Sequence, residues 1–287
     1  MTRVGFVGLG GMGGRIAARL ADDHAVAGFD LRDEAVEALV DAGGTPAATA
    51  ADAAADAEVV FLSLPGPDEV EAVVEEIDGA LESGAVLVDL TTSTPGTTEA
   101  VADRFDEADV LGAPVSGGVA GAERGTLSVM VGGDPAVLEA CRPLFEAFAA
   151  DVVHVGAGVG DGHAAKLLNN YLSQTALVAA SEALALGRRA GLDGETLLEV
   201  FNASSGRNSA TEDKLPDHVL TGDYDLGFSL ALTEKDARLL GRFADEQDAP
   251  LLLAGVVRNL VGYARADHGG DADMTRLHDF MADRVDR

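Results

Sequence analysis

Val4-Gly5-Phe6-Val7-Gly8-Leu9-Gly10-Gly11-Met12-Gly13 decides how this chain is read. An apolar, β-prone run leads directly into Gly8-x-Gly10-x-x-Gly13, and a helical segment, Arg15-Ile16-Ala17-Ala18-Arg19-Leu20, follows. A glycine triplet alone means little in a chain with 35 glycines; the strand before it and the helix after it give it meaning. In that context the first glycine makes the tight turn, the second lets the backbone approach a pyrophosphate, and the third lets helix pack on strand. The helix N-terminus then offers unpaired N–H groups and a positive dipole end to the phosphates. Gly8, Leu9, Gly10, Gly11, Met12 and Gly13 are the expected dinucleotide cradle. The next apolar run, Ala25–Phe29, ends in Asp30, near where an acidic ribose partner is expected. A carboxylate there accepts from the ribose 2′-hydroxyl and repels a 2′-phosphate, which favours NAD. Arg32, two residues on, stacks on adenine or tolerates the phosphate in the alternative, NADP reading.

Outward from this motif, to about Val155, short apolar runs alternate with helical segments. The runs are Val4–Val7, Val26–Phe29, Glu58–Leu64, Val86–Leu90, Ala108–Leu111, Leu127–Val131 and Val152–Val155; Glu34–Ala42, Asp68–Glu76 and Pro95–Glu107 read as helices between them. The alanine-rich Ala47–Ala57 reads as a surface helix. This alternation predicts a Rossmann-like α/β domain with a mostly parallel sheet covered on both faces. Ligands in such sheets sit beyond the carboxyl ends of the strands, where Leu64-Pro65 and Thr91–Thr94 also fall. Gly156 to Gly162 reads as a flexible joint. His163–Ala190 then predicts one long helix, followed by helices over Gly194–Ala203, Leu232–Asp245 and Pro250–Asp267, with no strand signal after position 160. The expected division is a dinucleotide-binding domain over 1–160 and an all-α domain over 161–287, joined by the long helix.

The formal net charge of −29 argues against nucleic acid or an anionic membrane as partner. The acid is dispersed, basic residues are mostly arginine, and lysine occurs only at Lys166, Lys214 and Lys235. That composition points to a salt-accumulating, halophilic source, where high salt screens the self-repulsion. No apolar stretch reaches membrane-spanning length and no signal peptide is read, so a cytoplasmic protein is expected. Cys141 is the single cysteine, which rules out an intrachain disulfide framework, and the six histidines show no metal spacing.

Lys166 is the strongest candidate for chemistry. It falls about one turn into the long helix, and Asn170, four residues on, shares its face. Hydride transfer to or from an alcohol carbon needs a group that takes or returns the hydroxyl proton. A lysine does so when desolvation or neighbouring charge brings its pKa toward working pH. Asn170 can hold the lysine or the substrate oxygen without titrating. The alternative, a solvated helix lysine, sits badly in a chain almost depleted of lysine. Ser116-Gly117-Gly118 offers a hydroxyl and closely spaced backbone N–H groups, a combination that suits an anion.

Four blocks in order make the whole chain resemble the β-hydroxyacid dehydrogenase family, which includes 3-hydroxyisobutyrate dehydrogenase and tartronate semialdehyde reductase. They are Gly8–Gly13; Asp89-Leu90-Thr91-Thr92-Ser93-Thr94-Pro95; Ala113-Pro114-Val115-Ser116-Gly117-Gly118-Val119-Ala120-Gly121-Ala122 with Gly125-Thr126-Leu127; and Lys166-Leu167-Leu168-Asn169-Asn170. Phe228 through Lys235-Asp236 is a weaker fifth, and Gly112 stands where many relatives carry Asp. The resemblance implies an NAD(P)-dependent oxidoreductase interconverting a small 3-hydroxy acid and its semialdehyde, without metal. It implies proton transfer by Lys166 with Asn170, and substrate carboxylate binding at Ser116–Gly118. It also implies Leu64 and Pro65 beside the adenosine half of the cofactor, Thr92 at the nicotinamide ribose, and Lys235 on the cofactor side. Relatives are dimers or tetramers, so a homodimer or homotetramer is expected. Tartronate or succinic semialdehyde reduction is the nearest alternative; imine reduction and a non-catalytic nucleotide sensor are remote ones. Arg207 contacts a substrate anion or answers nearby carboxylates, and Lys214 is either a weaker candidate than Lys235 or simply a surface residue.

Overall fold

The central apolar runs become strands because they are buried on both faces of one sheet, whereas Val152–Val155 forms a strand that stays largely exposed. The computed structural model describes residues 1–105 and 107–285. Its strands are β1 (Arg3–Val7), β2 (Ala25–Phe29), β3 (Thr45–Pro46), β4 (Val59–Leu62), β5 (Val86–Asp89), β6 (Asp109–Gly112), β7 (Val115–Ser116), β8 (Leu127–Gly132) and β9 (Ala149–Gly156). They lie in the order β3-β2-β1-β4-β5-β6-β8-β7, with β9 paired to β8. β1 to β6 pair in parallel, and β8 is antiparallel to β6 and β7. Parallel neighbours need crossovers. Helices α1 (Gly13–Ala21), α2 (Asp33–Asp41), α3 (Ala50–Ala54), α4 (Pro67–Ile77) and α5 (Pro95–Ala102) lie between these strands in sequence; α6 (Gly118–Arg124) and α7 (Pro135–Glu146) follow. The strand order reverses between β1 and β4, beside the glycine loop, which is where doubly wound sheets open a ligand crevice.

Neighbouring residues of one strand feed opposite cores. Phe6, Phe61 and Val88 join Ile16 and Leu20 on one face; Val7, Leu62 and Leu87 join Val70, Val74 and Ile77 on the other. Phe6 stacks on Phe61 at 5.8 Å, and Phe61 meets Phe145 and Phe148 edge-on. Cys141 lies in the first core, and burial pushes its thiol up to about 11, as suits a structural cysteine.

The long helix, α8 (Asp161–Arg189), has 29 residues and spans about 43 Å at about 1.5 Å per residue. Two compact units divide within it, between Lys166 and Leu167. The second unit holds α9 (Gly194–Asn202), a π-helical segment (Ala210–Val219), α10 (Leu230–Glu246), α11 (Ala254–His268), a 3₁₀ turn (Met274–Arg276) and α12 (Leu277–Val285). Its core gathers Leu177, Leu184, Leu198, Leu215, Val261 and Phe280. Among the described residues, Ser229 and Asp273 form an isolated bridge and no strand follows β9. The α/β-plus-all-α reading therefore stands. No helix among the described residues is long and apolar enough to cross a membrane.

Several expectations need correction. The alanine-rich segment is not a surface helix: only Ala50–Ala54 is helical, and Ala50, Ala53 and Ala54 are fully buried in the second core of the sheet. Alanine suits that site because a larger side chain would hold the helix off the strands. α5 stops at Ala102, short of Glu107, and Asp106 lies outside the described residues. α11 begins at Ala254, not Pro250. The glycine-rich joint is a packed turn: Gly160 and Gly162 are buried, and Gly158 N–H donates to Asp161 at 2.9 Å.

The turn is held by His163, which is wholly buried in the first turn of α8. Its Nε2 lies 2.9 Å from the Thr91 carbonyl oxygen and 3.5 Å from Asp89, and its Nδ1 lies 2.9 Å from the Thr98 hydroxyl. A neutral ring that donates from Nε2 to Thr91 and accepts from Thr98 satisfies all three groups. Burial pushes the imidazole pKa down, and attraction to Asp89 and the Thr91 bond only partly offset it. Gly112 leaves the room: a β-carbon there would fall 2.8 Å from His163 Nδ1 and 2.2 Å from the Val159 carbonyl oxygen. The folded chain thus resists a proton that the unfolded chain takes up near pH 6.5, so stability falls as pH drops below that value. A full proton of difference is worth about 1.4 kcal/mol per pH unit. Denaturant unfolding between pH 7 and 5 is expected to show a shallower loss of stability in His163→Gln than in wild type. Some slope remains, because the pKa of buried His278 is shifted the same way. Equal slopes in the two proteins would contradict this account.

Candidate active site

The glycine loop shows two kinds of constraint. Gly8 has φ of +94°, and a β-carbon on Gly13 would fall 2.0 Å from the Gly8 carbonyl oxygen, so both are fixed by the fold. Gly10 and Gly11 face the other way: the nearest protein atoms to a β-carbon there are Arg32 Nη2 at 3.8 Å and Val119 Cγ2 at 3.9 Å. No side chain caps the α1 N-terminus that follows. Open space against a loop and an uncapped helix start fits a pyrophosphate. At the end of β2, Leu9 N–H donates to Asp30 Oδ2 at 2.7 Å, and Arg32 donates to Oδ1 from its backbone at 2.9 Å and from Nε at 3.1 Å. Burial alone would raise the Asp30 carboxyl, but the bonds from Arg32 and Leu9 outweigh it and hold it below the usual aspartate range.

The ends of β4 and β5 are tied together. Leu64 N–H donates to the Thr91 hydroxyl at 3.1 Å, and Thr91 N–H donates to Asp89 Oδ1 at 2.9 Å. Pro65 is exposed and Thr92 half-buried beside them. Thr94 caps α5, accepting from Thr97 N–H, with Pro95 in its first turn. The Thr91 carbonyl carries His163, and Lys166 stands three residues later on the same helix face, itself only 8% exposed. Asp89 and His163 are therefore the buried frame beneath this edge. Sequence reasoning placed Asp89 in a motif without a role and read His163 only as a helix-start residue.

Ser116 ends β7, and Gly117 and Gly118, with φ of +126° and +65°, open α6 without a side-chain cap. Arg15 pairs with Glu123 at 2.7 Å, and Arg19 donates to the Glu123 carbonyl at 3.1 Å, which sets α6 against α1. The structure thus gathers the glycine loop, Asp30, Leu64, Thr91 and Ser116–Gly118 around the carboxyl edge of one sheet.

In the second unit, Asn170 on α8 donates to Asp236 Oδ2 on α10 at 2.8 Å, and Lys235 pairs with Asp236 Oδ1 at 3.2 Å. Asp236 is 3% exposed and organises both neighbours. Arg207 is exposed and pairs with Glu212 at 2.5 Å, the carboxylate alternative of its two readings. Lys214 is buried, which sets aside the surface alternative of its two readings, and its Nζ donates to Ser173 at 3.1 Å and Ser209 at 2.9 Å. The π-helical segment that turns it inward has no simple sequence period.

Comparison with known proteins agrees with this geometry. Residues 3–156 match the family described as the NAD binding domain of 6-phosphogluconate dehydrogenase. Residues 160–281 match the family described as NAD-binding of NADP-dependent 3-hydroxyisobutyrate dehydrogenase. The chain is 36% identical to 2-(hydroxymethyl)glutarate dehydrogenase of Eubacterium barkeri, over 96% of this chain and 93% of that one. It is 38% identical to 3-hydroxyisobutyrate dehydrogenase of Pseudomonas aeruginosa, covering 93% and 94%. A solved structure of Mycobacterium tuberculosis 3-hydroxyisobutyrate dehydrogenase with L-serine superposes with a TM-score of 0.89 at 30% identity, covering 97% and 98%. Glycine loop, sheet order, helical second unit and relatives agree: the chain belongs to the β-hydroxyacid dehydrogenase family, and it is a nicotinamide-dependent oxidoreductase of hydroxy acids.

Proposed function

We propose that this chain interconverts a small 3-hydroxy acid and its semialdehyde, with NAD as preferred cofactor and Lys166 as proton carrier. The observation that carries the reading is Lys166 itself: a buried lysine, one helical turn beyond the histidine that fastens α8 to the Thr91 carbonyl. When bound, the nicotinamide accepts or returns the hydride. The chain's own residues do the rest. The Ser116 hydroxyl and the backbone N–H groups of Gly117 and Gly118 hold the substrate carboxylate. As the carbinol C–H bond breaks, Lys166 Nζ takes the hydroxyl proton and the C=O bond forms; in reduction Nζ gives that proton back. Asn170, steadied by Asp236, holds the substrate oxygen. Leu64, Pro65 and Thr92 flank the cofactor along the strand ends.

NAD is favoured by the ionised Asp30 at the end of β2. The Arg32 guanidinium is engaged by Asp30, which speaks against its serving a 2′-phosphate. Relatives named for 3-hydroxyisobutyrate and 2-(hydroxymethyl)glutarate support a primary alcohol beside a carboxylate-bearing carbon as the reacting group.

Nicotinamide absorbance in molar KCl tests this with 3-hydroxyisobutyrate, glycerate, 4-hydroxybutyrate and their semialdehydes. Lys166→Ala is expected to lower kcat by about a hundredfold to ten-thousandfold, the usual range for a lost general acid or base. NADH affinity by fluorescence is expected to stay within a few-fold. Turnover retained by the variant would overturn the assignment of Lys166. In the same assay wild type is expected to prefer NAD, and Asp30→Ala to raise the NADP-to-NAD ratio of kcat/KM at least tenfold. Wild-type preference for NADP would overturn the role given to Asp30.

A further inference from the structure

Lys214 is a lysine that the reaction above does not use. It is 9% exposed, in a chain that otherwise meets its surface with arginine. Its two bonding partners are neutral: Ser173 on α8 and Ser209 at the start of the π-helical segment. Among the described residues no carboxylate stands within ion-pair distance of Nζ. Burial draws the ammonium below the usual lysine range, and attraction to neighbouring Asp213 only partly restores it.

A buried ammonium is normally answered by a carboxylate, because desolvating an unpaired charge is costly. Here its neighbours are hydroxyls. An ammonium has three N–H donors, two of which the serines accept. Each serine hydroxyl, having accepted, still has its own proton to donate. The cluster therefore offers three convergent donors and one positive charge, which suits an oxyanion and disfavours a cation. Ser209 is exposed, so the cluster opens to solvent on that side. Ser173 lies three residues beyond Asn170 on α8, hence on the same face and a little under one turn, about 4.5 Å, further along. A substituent of two or three carbons covers that turn.

We propose that Lys214, Ser173 and Ser209 form a second carboxylate subsite, used by 3-hydroxy acids whose substituent ends in a distal carboxylate. This rests on the reading of Asn170 as a substrate contact. Small monocarboxylate hydroxy acids stop short of the cluster; hydroxymethyl dicarboxylates reach it. A site built to bond a charged group discriminates strongly against the analogue lacking it, since its own donors are then left unmet.

Two readouts test the proposal on wild type, Lys214→Gln and the double variant Ser173→Ala/Ser209→Ala. The first is the thermal shift given with NAD by glutarate, by isobutyrate and by inorganic phosphate. The second is the ratio of kcat/KM for 2-(hydroxymethyl)glutarate to that for 3-hydroxyisobutyrate. Glutarate is expected to raise the wild-type Tm above the shift from isobutyrate or phosphate. That excess is expected to vanish in Lys214→Gln and shrink in the serine variant, and the kcat/KM ratio to fall about tenfold to a hundredfold. A ratio and a glutarate shift unchanged by the variants would overturn the proposal, assigning Lys214 to packing alone. Phosphate reproducing the glutarate shift would also overturn it, in favour of a general anion site. If neither hydroxy acid turns over, the proposed reaction fails while the glutarate arm still decides the subsite. If Lys214→Gln does not fold, the serine variant, which keeps the ammonium, decides.

Discussion

The contact between His163 and the Thr91 carbonyl is the constraint on which the rest depends. It joins the end of a central parallel strand to the first turn of the 29-residue helix, at a point without solvent. Removing one partner from such a buried bond costs about 1–3 kcal/mol, because the other is left unmet. The ring has neighbours on each side that accept this geometry: Asp89 beneath, Thr98 at the second nitrogen, and Gly112 where any side chain would collide with it. The histidine gives a physical reason for the glycine at position 112 in this chain. With the turn held, Lys166 has one place to be.

A similar economy runs through the two glycine loops at Gly8–Gly13 and Ser116–Gly118. In each, some glycines are demanded by the protein and others leave room beside it. Gly8 and Gly13 are locked by close backbone approach, whereas Gly10 and Gly11 border open space. Ser116–Gly118 repeats the pattern at a second uncapped helix start. In the helical unit the recurring device is a buried polar group serving two neighbours. Asp236 holds both Asn170 and Lys235, and Lys214 gathers two serines. The candidate side chains thus sit on helices and strand ends rather than on long loops, which keeps their geometry narrow.

The fold was legible because its central strands, β1, β4, β5 and β6, are apolar and largely buried and its longest helix carries no proline. Thr45–Pro46 and Val115–Ser116 escaped reading because two residues carry no period, and their pairing is set by neighbouring strands. The alanine-rich segment misled because alanine serves equally on an exposed helix and against a strand; contact decides between them. Motif spacing singled out the glycine loop, Lys166, Asn170 and Ser116–Gly118 as candidates. The frame beneath was invisible: His163 and Asp89 meet across 74 residues, a pairing no local pattern announces. The buried state of Lys214 was equally hidden, since the irregular π-helical turn that points it inward leaves no sequence signature.

The central claim is that Lys166 moves the proton, and chemical rescue tests it most directly. Lys166→Ala would be assayed in molar KCl with rising methylamine or ethylamine. The account requires a saturable return of turnover that depends on amine size and basicity, with cofactor affinity unchanged. A folded, cofactor-binding variant that no amine restores, or one that needs no amine, would contradict it.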